Sequence, residues 1–227
     1  MFIFFDIGST LIDGPPWGPA RRLVDRLGLA PESRTLLNGL ILRTPLEDPQ
    51  TLADYLISQY NADSGAAIRE ADTLWQAQIQ EAREIPGARE VLRRLREAEI
   101  PYGFISNIWR PFYQGFERLF REEIEGRPCF LSFERGLAKP DTALYWTALD
   151  ALQLSPEKTI MVGDTYKNDM APAMAMGMKA LWVLRRPEKE RPDLIGILNG
   201  QRPPPDHTLA SIEHLKPELF HSLLISR

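Results

Sequence analysis

Short runs of apolar residues recur along the chain, and segments with apolar residues at helical spacing separate them. Such runs are typical of strands that are buried on both faces of a sheet. The alternation of strand and helix predicts a parallel sheet with helices on both of its faces. The fold class is therefore α/β, with a doubly wound sheet. The predicted strands cover residues 2–5, 102–105, 130–133, 159–162 and 180–184.

Residues 14–86 interrupt this alternation with a pattern that is helical throughout and contains no convincing strand. We therefore expect an inserted helical domain of residues 14–86, within a core domain formed by residues 1–13 and 87–227. Apolar residues at three- and four-residue spacing predict four helices in the insert, around residues 23–29, 36–41, 52–60 and 68–79.

The C-terminal quarter of the chain returns to less regular patterns. Residues 185–206 are rich in Arg, Pro and Glu and predict a surface loop. The three consecutive prolines at 203–205 exclude a regular helix or a central strand there. The pattern over residues 207–224 predicts a short strand followed by a closing helix.

Polar residues follow three of the predicted strands directly. Asp6 follows the first strand, Ser106 and Asn107 follow the second, and Asp164 follows the strand at 159–162, with Asp169 close behind it. In open α/β sheets, ligands bind outside the carboxyl ends of the strands. Aspartate there can act as a nucleophile toward phosphorus, and paired carboxylates suit Mg²⁺. Each of these residues taken alone also fits turn or helix-cap chemistry.

A lysine, Lys139, lies between the second and third of these polar strand ends. It precedes Pro140, so its backbone is extended and its ammonium is able to reach inward. The order of Asp6, Ser106, Lys139 and Asp164 along the chain resembles the haloacid dehalogenase (HAD) superfamily, in the branch that carries a helical cap after the first strand. Most members are phosphatases with a Rossmann-like core, and the resemblance covers nearly the whole chain.

The resemblance implies a role for each matching position, with a small phosphorylated metabolite as substrate and Mg²⁺ as cofactor. Asp6 would be the nucleophile, and Lys139 would hold the phosphate and offset the charge of the carboxylates. The substrate-binding positions would be Thr10, Ser106, Asn107 and Lys139. The metal would be held by Asp6, the backbone carbonyl of Gly8, Asp164 and Asp169.

Gly8 departs from the family pattern, because phosphatases of this family usually carry an Asp two residues after the nucleophile. That residue protonates the leaving group and then activates water, which is worth about 10²–10⁴-fold in rate. Ser9 is a milder departure, at a position where the family usually has Gly. Asp13 is a conceivable substitute acid, although its distance along the chain places it at the entrance of the insert.

Two other functions stay open beside a phosphatase whose turnover Gly8 slows. One is a catalytically impaired homologue that binds a ligand or regulates a partner. The other is a haloacid dehalogenase, which has little use for both Asp164 and Asp169. A phosphonate hydrolase of the family is excluded, because it needs a lysine in the cap and residues 14–90 contain none.

The composition limits which binding partners and which cellular compartment we expect for the protein. A net charge of −4 argues against a general nucleic-acid binder. Cys129 is the only cysteine, which excludes an intramolecular disulfide and fits a reducing compartment. No apolar stretch approaches the roughly 18 residues of a membrane helix, and the apolar start lacks the basic region of a signal peptide. We therefore expect a cytoplasmic monomer or homodimer that binds neither nucleic acid nor membranes.

Overall fold

The computed structural model describes residues 1–225 and contains a six-stranded sheet whose strands all run parallel. The strand order is β5-β4-β1-β6-β7-β8, and a separate antiparallel pair joins β2 to β3. The strands are β1 (Phe2–Phe5), β2 (Ile12–Asp13), β3 (Arg83–Glu84), β4 (Tyr102–Ser106), β5 (Cys129–Leu131), β6 (Thr159–Gly163), β7 (Lys179–Val183) and β8 (His207–Leu209).

Helices connect these strands and cover both faces of the sheet, as the predicted doubly wound α/β class requires. A single π-helical turn at Tyr166–Met170 follows β6. The α-helices are α1 (Pro19–Leu27), α2 (Ser33–Arg43), α3 (Pro49–Tyr60), α4 (Ser64–Gln80), α5 (Ala88–Glu97), α6 (Arg110–Ile124), α7 (Ser132–Arg135), α8 (Thr142–Ala151), α9 (Ala171–Ala175), α10 (Arg191–Leu198) and α11 (Pro217–Ile225).

Strand β1 lies in the middle of the sheet, which explains why its sequence is apolar without alternation. Ile3 and Phe5 are buried in the core on one face, with residues of α5 and α6. Phe4 is buried in the core on the other face, with residues of α8 and α9. Because β1 pairs with β4 on one side and β6 on the other, the carboxyl ends of these three strands meet at one edge.

The helices α1–α4 pack on an apolar cluster of their own, which is separate from the two faces of the sheet. Asp48 and Asp63 cap the starts of α3 and α4, where their side chains accept hydrogen bonds from backbone N–H groups. The β2–β3 pair lies where the chain enters and leaves this helical segment. The four predicted helices of the segment are therefore present, while its status as a separate domain stays a prediction.

Two local predictions are wrong. The apolar run at 130–133 is a strand only as far as Leu131, because Ser132 begins the short helix α7 and the Ser132 hydroxyl bonds to the backbone of Ile108 instead. The segment at 185–206 is not a continuous loop, since α10 lies within it. Pro192 is compatible with that helix because it occupies the first turn, where no intrahelical N–H bond is lost.

The C-terminal pattern is confirmed, since β8 and α11 follow the proline run as predicted. No helix within residues 1–225 combines the length and the apolar character that crossing a membrane requires.

Candidate active site

Asp6 lies immediately after β1, with 6% of its surface exposed. Its backbone N–H donates to the carbonyl of Val162, which continues the β1–β6 pairing up to the site. Its Oδ1 accepts a hydrogen bond from Ser106 Oγ at 2.9 Å and another from Lys139 Nζ at 2.7 Å. Both hydrogen bonds end on Oδ1, and no described residue donates to Oδ2. The carboxylate is thus held by one oxygen while the other remains available.

Lys139 is buried beneath the edge of the sheet, and its ammonium donates to three acceptors. They are Asp6 Oδ1, Asp169 Oδ1 and the carbonyl of Ile105, which lies 3.1 Å away. The Asn107 side chain holds the lysine backbone from both sides, because its Nδ2 donates to the Lys139 carbonyl and its Oδ1 accepts from the Lys139 N–H, each at 2.8 Å. Asn107 therefore positions Lys139, and direct contact between its amide and a substrate stays a prediction.

Asp6, Asp164 and Asp169 form the carboxylate cluster. One oxygen from each lies within 4.8 Å of the other two, and all three residues are buried. The π-helical turn after β6 brings Asp169 back over Gly163, where an added Cβ would lie only 2.4 Å from the Asp169 Cγ. Only glycine fits at position 163 beside this carboxylate. Asp169 Oδ2 also accepts a bond from the Thr165 N–H at 3.0 Å.

Two arginines that follow β7 complete the charge pattern, and the sequence analysis missed both. Arg186 forms an ion pair with Asp164. Arg185 donates to both oxygens of Asp13, at 2.6 and 2.7 Å. They stand at a strand end, so the rule that located Asp6 and Asp164 also applies to them. Because both oxygens of Asp13 accept from Arg185, Asp13 is a poor candidate for the substitute acid.

Burial and crowding shift the acidity of the cluster. Burial raises the pKa of Asp169 to about 7, and the nearby carboxylates of Asp6 and Asp164 add to this effect, while Lys139 opposes it. Burial, with a smaller contribution from Asp6, also raises the pKa of Asp164. For Lys139, burial alone would lower the pKa of the ammonium, but the attraction of Asp169 and Asp6 outweighs burial and raises it.

The cluster fits a hard divalent cation. Three carboxylates face only two cationic side chains, Lys139 and Arg186, so the site has excess negative charge. Oxygen donors at this spacing match the preference of Mg²⁺. The Gly8 carbonyl accepts none of the backbone hydrogen bonds of its turn, in which the neighbouring Ile7 and Ile12 carbonyls are the acceptors. It is therefore available as a further oxygen ligand.

The turn after Asp6 carries the two departures from the family pattern. An added Cβ at Gly8 would lie 3.5 Å from the ring of Phe112, an ordinary contact, so a larger residue has room there. Ser9 adopts a left-handed conformation with φ of 63°, which favours glycine. The Thr10 hydroxyl is buried and has no hydrogen-bond partner among the described residues, so it does not hold Asp6, and its contact with a substrate stays a prediction.

A cavity of about 290 Å³ opens beside this edge, between α1–α4 and the sheet. We call it the cap cavity. Ser9 and Asn107 form its floor, next to Asp6 and Lys139. Its walls include the aromatic side chains of Trp17, Trp109 and Phe112. Polar side chains also line the walls, namely Asn38 of α2, Gln78 of α4 and Lys189, which precedes α10.

A family model matches most of the chain. The model for haloacid dehalogenase-like hydrolases matches residues 46–183. The matched stretch includes Ser106, Lys139, Asp164 and Asp169, and it begins beyond the Asp6 strand.

Curated relatives include two phosphatases. The chain is 28% identical over 191 residues to the glyceraldehyde 3-phosphate phosphatase of Pyrococcus furiosus. The aligned stretch covers 79% of each protein. It is 32% identical over 146 residues to the phosphoserine phosphatase of Thermus thermophilus, over 58% of this chain and 56% of that protein.

Solved structures with the same architecture include a HAD hydrolase from Entamoeba histolytica. That structure has a TM-score of 0.64 and 18% identity, with 99% of both chains covered. The 2-haloacid dehalogenase of Pseudomonas syringae has a TM-score of 0.62 and 22% identity, over 97% of this chain and 98% of that one. At these identities the likeness concerns the fold alone.

Proposed function

The chain belongs to the haloacid dehalogenase-like hydrolase family, and from that premise we propose that it is a Mg²⁺-dependent phosphatase acting on small phosphorylated metabolites through an aspartyl-phosphate on Asp6. The observation that carries the proposal is the buried Asp6 carboxylate, which Ser106 and Lys139 hold at the sheet edge beside Asp164 and Asp169. The two phosphatase relatives, whose names give small phosphorylated metabolites as substrates, support the substrate class.

The geometry supports a specific assignment for the two oxygens of Asp6. Oδ1 is occupied by Ser106 and Lys139, which leaves Oδ2 as the attacking atom. In the transfer step, a bond forms between Oδ2 and phosphorus while the bond from phosphorus to the ester oxygen breaks. The departing oxygen takes the electron pair of that bond. The Lys139 ammonium, already within 2.7 Å of Oδ1, supplies positive charge beside the transferring group.

Mg²⁺, when bound, would supply the charge that offsets the phosphoryl oxygens as they approach the carboxylates. Asp6, the Gly8 carbonyl, Asp164 and Asp169 are the residues that would hold it. We also propose that residues 14–86 act as a cap domain over a core of residues 1–13 and 87–227, because the cap cavity lies between α1–α4 and the catalytic edge.

Gly8 decides which phosphate esters the site is expected to use. An alkyl leaving group needs a proton, and position 8 has no side chain to give one. Asp13 is held by Arg185 through both oxygens and is poorly placed to replace it. Aryl and acyl phosphates have stable leaving groups, so they should phosphorylate Asp6 faster than sugar phosphates do. With no base at position 8 to activate water, the aspartyl-phosphate should also be slow to hydrolyse.

The test is rapid-quench kinetics with p-nitrophenyl phosphate and Mg²⁺, followed by mass spectrometry of the peptide that contains Asp6. We expect a burst of nitrophenol and one phosphoryl group on Asp6 in the wild type. Asp6→Asn should show neither, with a loss of roughly 10⁴-fold or more in rate. Asp13→Asn is the matched control and should keep the burst. Turnover by Asp6→Asn at the wild-type rate would overturn the mechanism, and a wild type that no aryl or acyl phosphate labels would favour the binding or regulatory alternative.

A further inference from the structure

The cap cavity contains polar groups that the proposed chemistry at Asp6 does not use. They belong to the helical segment and to the loop before α10. Two of them, Gln78 and Lys189, present hydrogen-bond donors. A cavity of about 290 Å³ is at the small end of ligand sites, which commonly measure about 300–1,000 Å³.

Gln78 is 4% exposed, and its orientation is fixed by a neighbour. The Trp109 indole N–H, which can only donate, gives a hydrogen bond of 2.9 Å to Gln78 Oε1. The amide therefore directs Nε2 away from Trp109. Nε2 donates to none of the described residues, yet it is not sealed from open space, and Gln78 lines the cap cavity. Nε2 is therefore open to an acceptor on a ligand in the cavity.

Lys189 provides the second donor, as a positive charge. Its side chain is exposed, lines the same cavity and forms no ion pair with any described residue. Lys139 at the floor, in contrast, is paired with two carboxylates. The charge of Lys189 is thus available to a ligand in the cavity, whereas the charge of Lys139 is shared with the site.

The floor and the wall of the cavity are placed for the two ends of one molecule. Ser9 and Asn107 at the floor adjoin Asp6 and Lys139, so a phosphate at the catalytic edge would leave the rest of its molecule in the cap cavity. Donors and a positive charge on the wall suit an end group that carries negative charge and accepts hydrogen bonds.

We propose that Gln78 and Lys189 select small phosphate esters whose far end carries a carboxylate or another anionic group. This inference rests on the proposed function, because it takes the phosphate to lie at Asp6. A neutral polyol end would leave Lys189 without a counter-charge.

The experiment compares 3-phosphoglycerate with glycerol 3-phosphate of the same configuration, which differ only in a carboxylate against a hydroxymethyl group. Their affinities are measured by calorimetry with Mg²⁺ on the wild type and on three variants. Lys189→Met removes the charge, and Gln78→Glu keeps an acceptor for Trp109 while replacing the donor with a negative charge. Lys158→Met removes an exposed lysine at the opposite end of the sheet and serves as the matched control.

We expect the wild type to bind 3-phosphoglycerate about tenfold more tightly than glycerol 3-phosphate, from one donor and one exposed charge. Lys189→Met should bring that ratio close to one, Gln78→Glu should reverse it, and Lys158→Met should preserve it. Equal wild-type affinities, or a preference that survives in both cavity variants, would overturn the inference. A drop of the same size in Lys158→Met would also overturn it, by showing general attraction instead of a site.

The Asp6 burst with p-nitrophenyl phosphate is measured on the same variants, and it separates the two proposals. We expect the wild type and Lys158→Met to show the same burst, because Lys158 lies outside the cavity. If the wild type shows no burst but does show the binding preference, the catalytic proposal fails while the selectivity stands. If the wild type shows the burst but no binding preference, the selectivity proposal fails while the catalytic proposal stands.

Discussion

The polar groups at the carboxylate edge of the sheet bond to one another, whereas those on the wall of the cap cavity have side-chain donors without partners in the part of the chain that the structure describes. At the edge, Lys139 bonds to both Asp6 and Asp169, and Arg186 bonds to Asp164. On the wall, Gln78 and Lys189 keep donors that no described residue accepts. The edge lies on the ends of central strands, whereas the wall is carried by helices and a loop.

The charges at the edge are therefore arranged before a substrate binds. The donors on the wall acquire partners only when a ligand binds. Groups that satisfy one another hold their positions without substrate, which is what a reaction requires of its nucleophile and its counter-charges. Donors without partners form hydrogen bonds only with a ligand that offers matching acceptors, and selection between ligands requires this difference. Changes at the edge should therefore alter chemistry, metal binding or acidity for every substrate, and changes on the wall should alter preference.

The largest gain in rate at the edge is expected from Gly8→Asp. The new Cβ meets only an ordinary contact with Phe112, so position 8 accepts a Cβ without a clash. A carboxyl at position 8 would supply the missing acid and base, and the slow loss of phosphate from Asp6 should accelerate by about 10²–10⁴-fold. Rapid-quench kinetics should show the burst disappear as turnover rises. The gain should be the same for anionic and neutral substrates of equal leaving-group stability.

Gly8→Asn is the matched control for this change. It has nearly the same shape as Gly8→Asp but cannot exchange a proton at neutral pH, so it should leave the burst in place. Equal acceleration by both variants would mean that shape, not proton transfer, limits turnover. A gain that depends on the far end of the substrate would contradict the division between edge and wall.

Mg²⁺ binding provides the next test of the edge. A ligand that binds only the folded state stabilises it by about 2.7 kcal/mol at 100 times its Kd. We expect Mg²⁺ to raise the Tm of the wild type and Asp164→Asn to lose most of that rise. Asp13→Asn removes a carboxylate that is paired with Arg185 outside the cluster, so it should respond like the wild type. The same rise in Asp164→Asn as in the wild type would refute the assignment of the metal to the cluster.

The acidity of Asp169 predicts how the metal-free protein depends on pH. Its pKa is raised to about 7 in the folded protein, above the ordinary value of 3.8. Between these values the folded state holds a proton that the unfolded state releases, so the free energy of unfolding should fall as pH rises from about 4 to about 7. Asp169→Asn should lack this decline, and the two curves should diverge by about 4 kcal/mol over this pH range. Urea unfolding in EDTA at several pH values measures it, and parallel curves would contradict the shift.

The sequence could locate the edge because strand ends are marked locally. An apolar run that stops at a carboxylate identifies Asp6 and Asp164, and the parallel sheet brings those ends together. Lys139 is predicted from its place between two of these strand ends, in the order that resembles the family. These signals need only the order of residues and the direction of the strands.

The remaining features depend on distant contacts that no local pattern records. Arg186 stands in a segment whose composition predicts a loop, and its ion pair with Asp164 follows from the packing of β7 beside β6. Gln78 lies on a helix whose apolar spacing gives no sign that a polar residue is buried next to Trp109. Asn107 was correctly placed at a strand end, but its use in holding the Lys139 backbone requires the folded loop.

The smallest effect is expected at Ser9, which follows Asp6 in the same turn and also lines the cap cavity. Its φ of 63° costs a residue with a side chain about 1–2 kcal/mol, whereas glycine loses about 0.5–1 kcal/mol of backbone entropy on folding. Ser9→Gly should therefore stabilise the protein by about 0.5–1 kcal/mol. Glu99→Gly, at an exposed position with φ of 53° away from the site, should give a similar gain and serves as the control.

Chemical denaturation of both variants, together with the Asp6 burst and the two affinities, gives the comparison its finest test. We expect both variants to keep the burst and the preference between 3-phosphoglycerate and glycerol 3-phosphate, because the Ser9 hydroxyl accepts and donates no hydrogen bond among the described residues. A changed preference in Ser9→Gly alone would assign that hydroxyl to substrate binding. Selection would then extend from the wall of the cavity to its floor, where the edge begins.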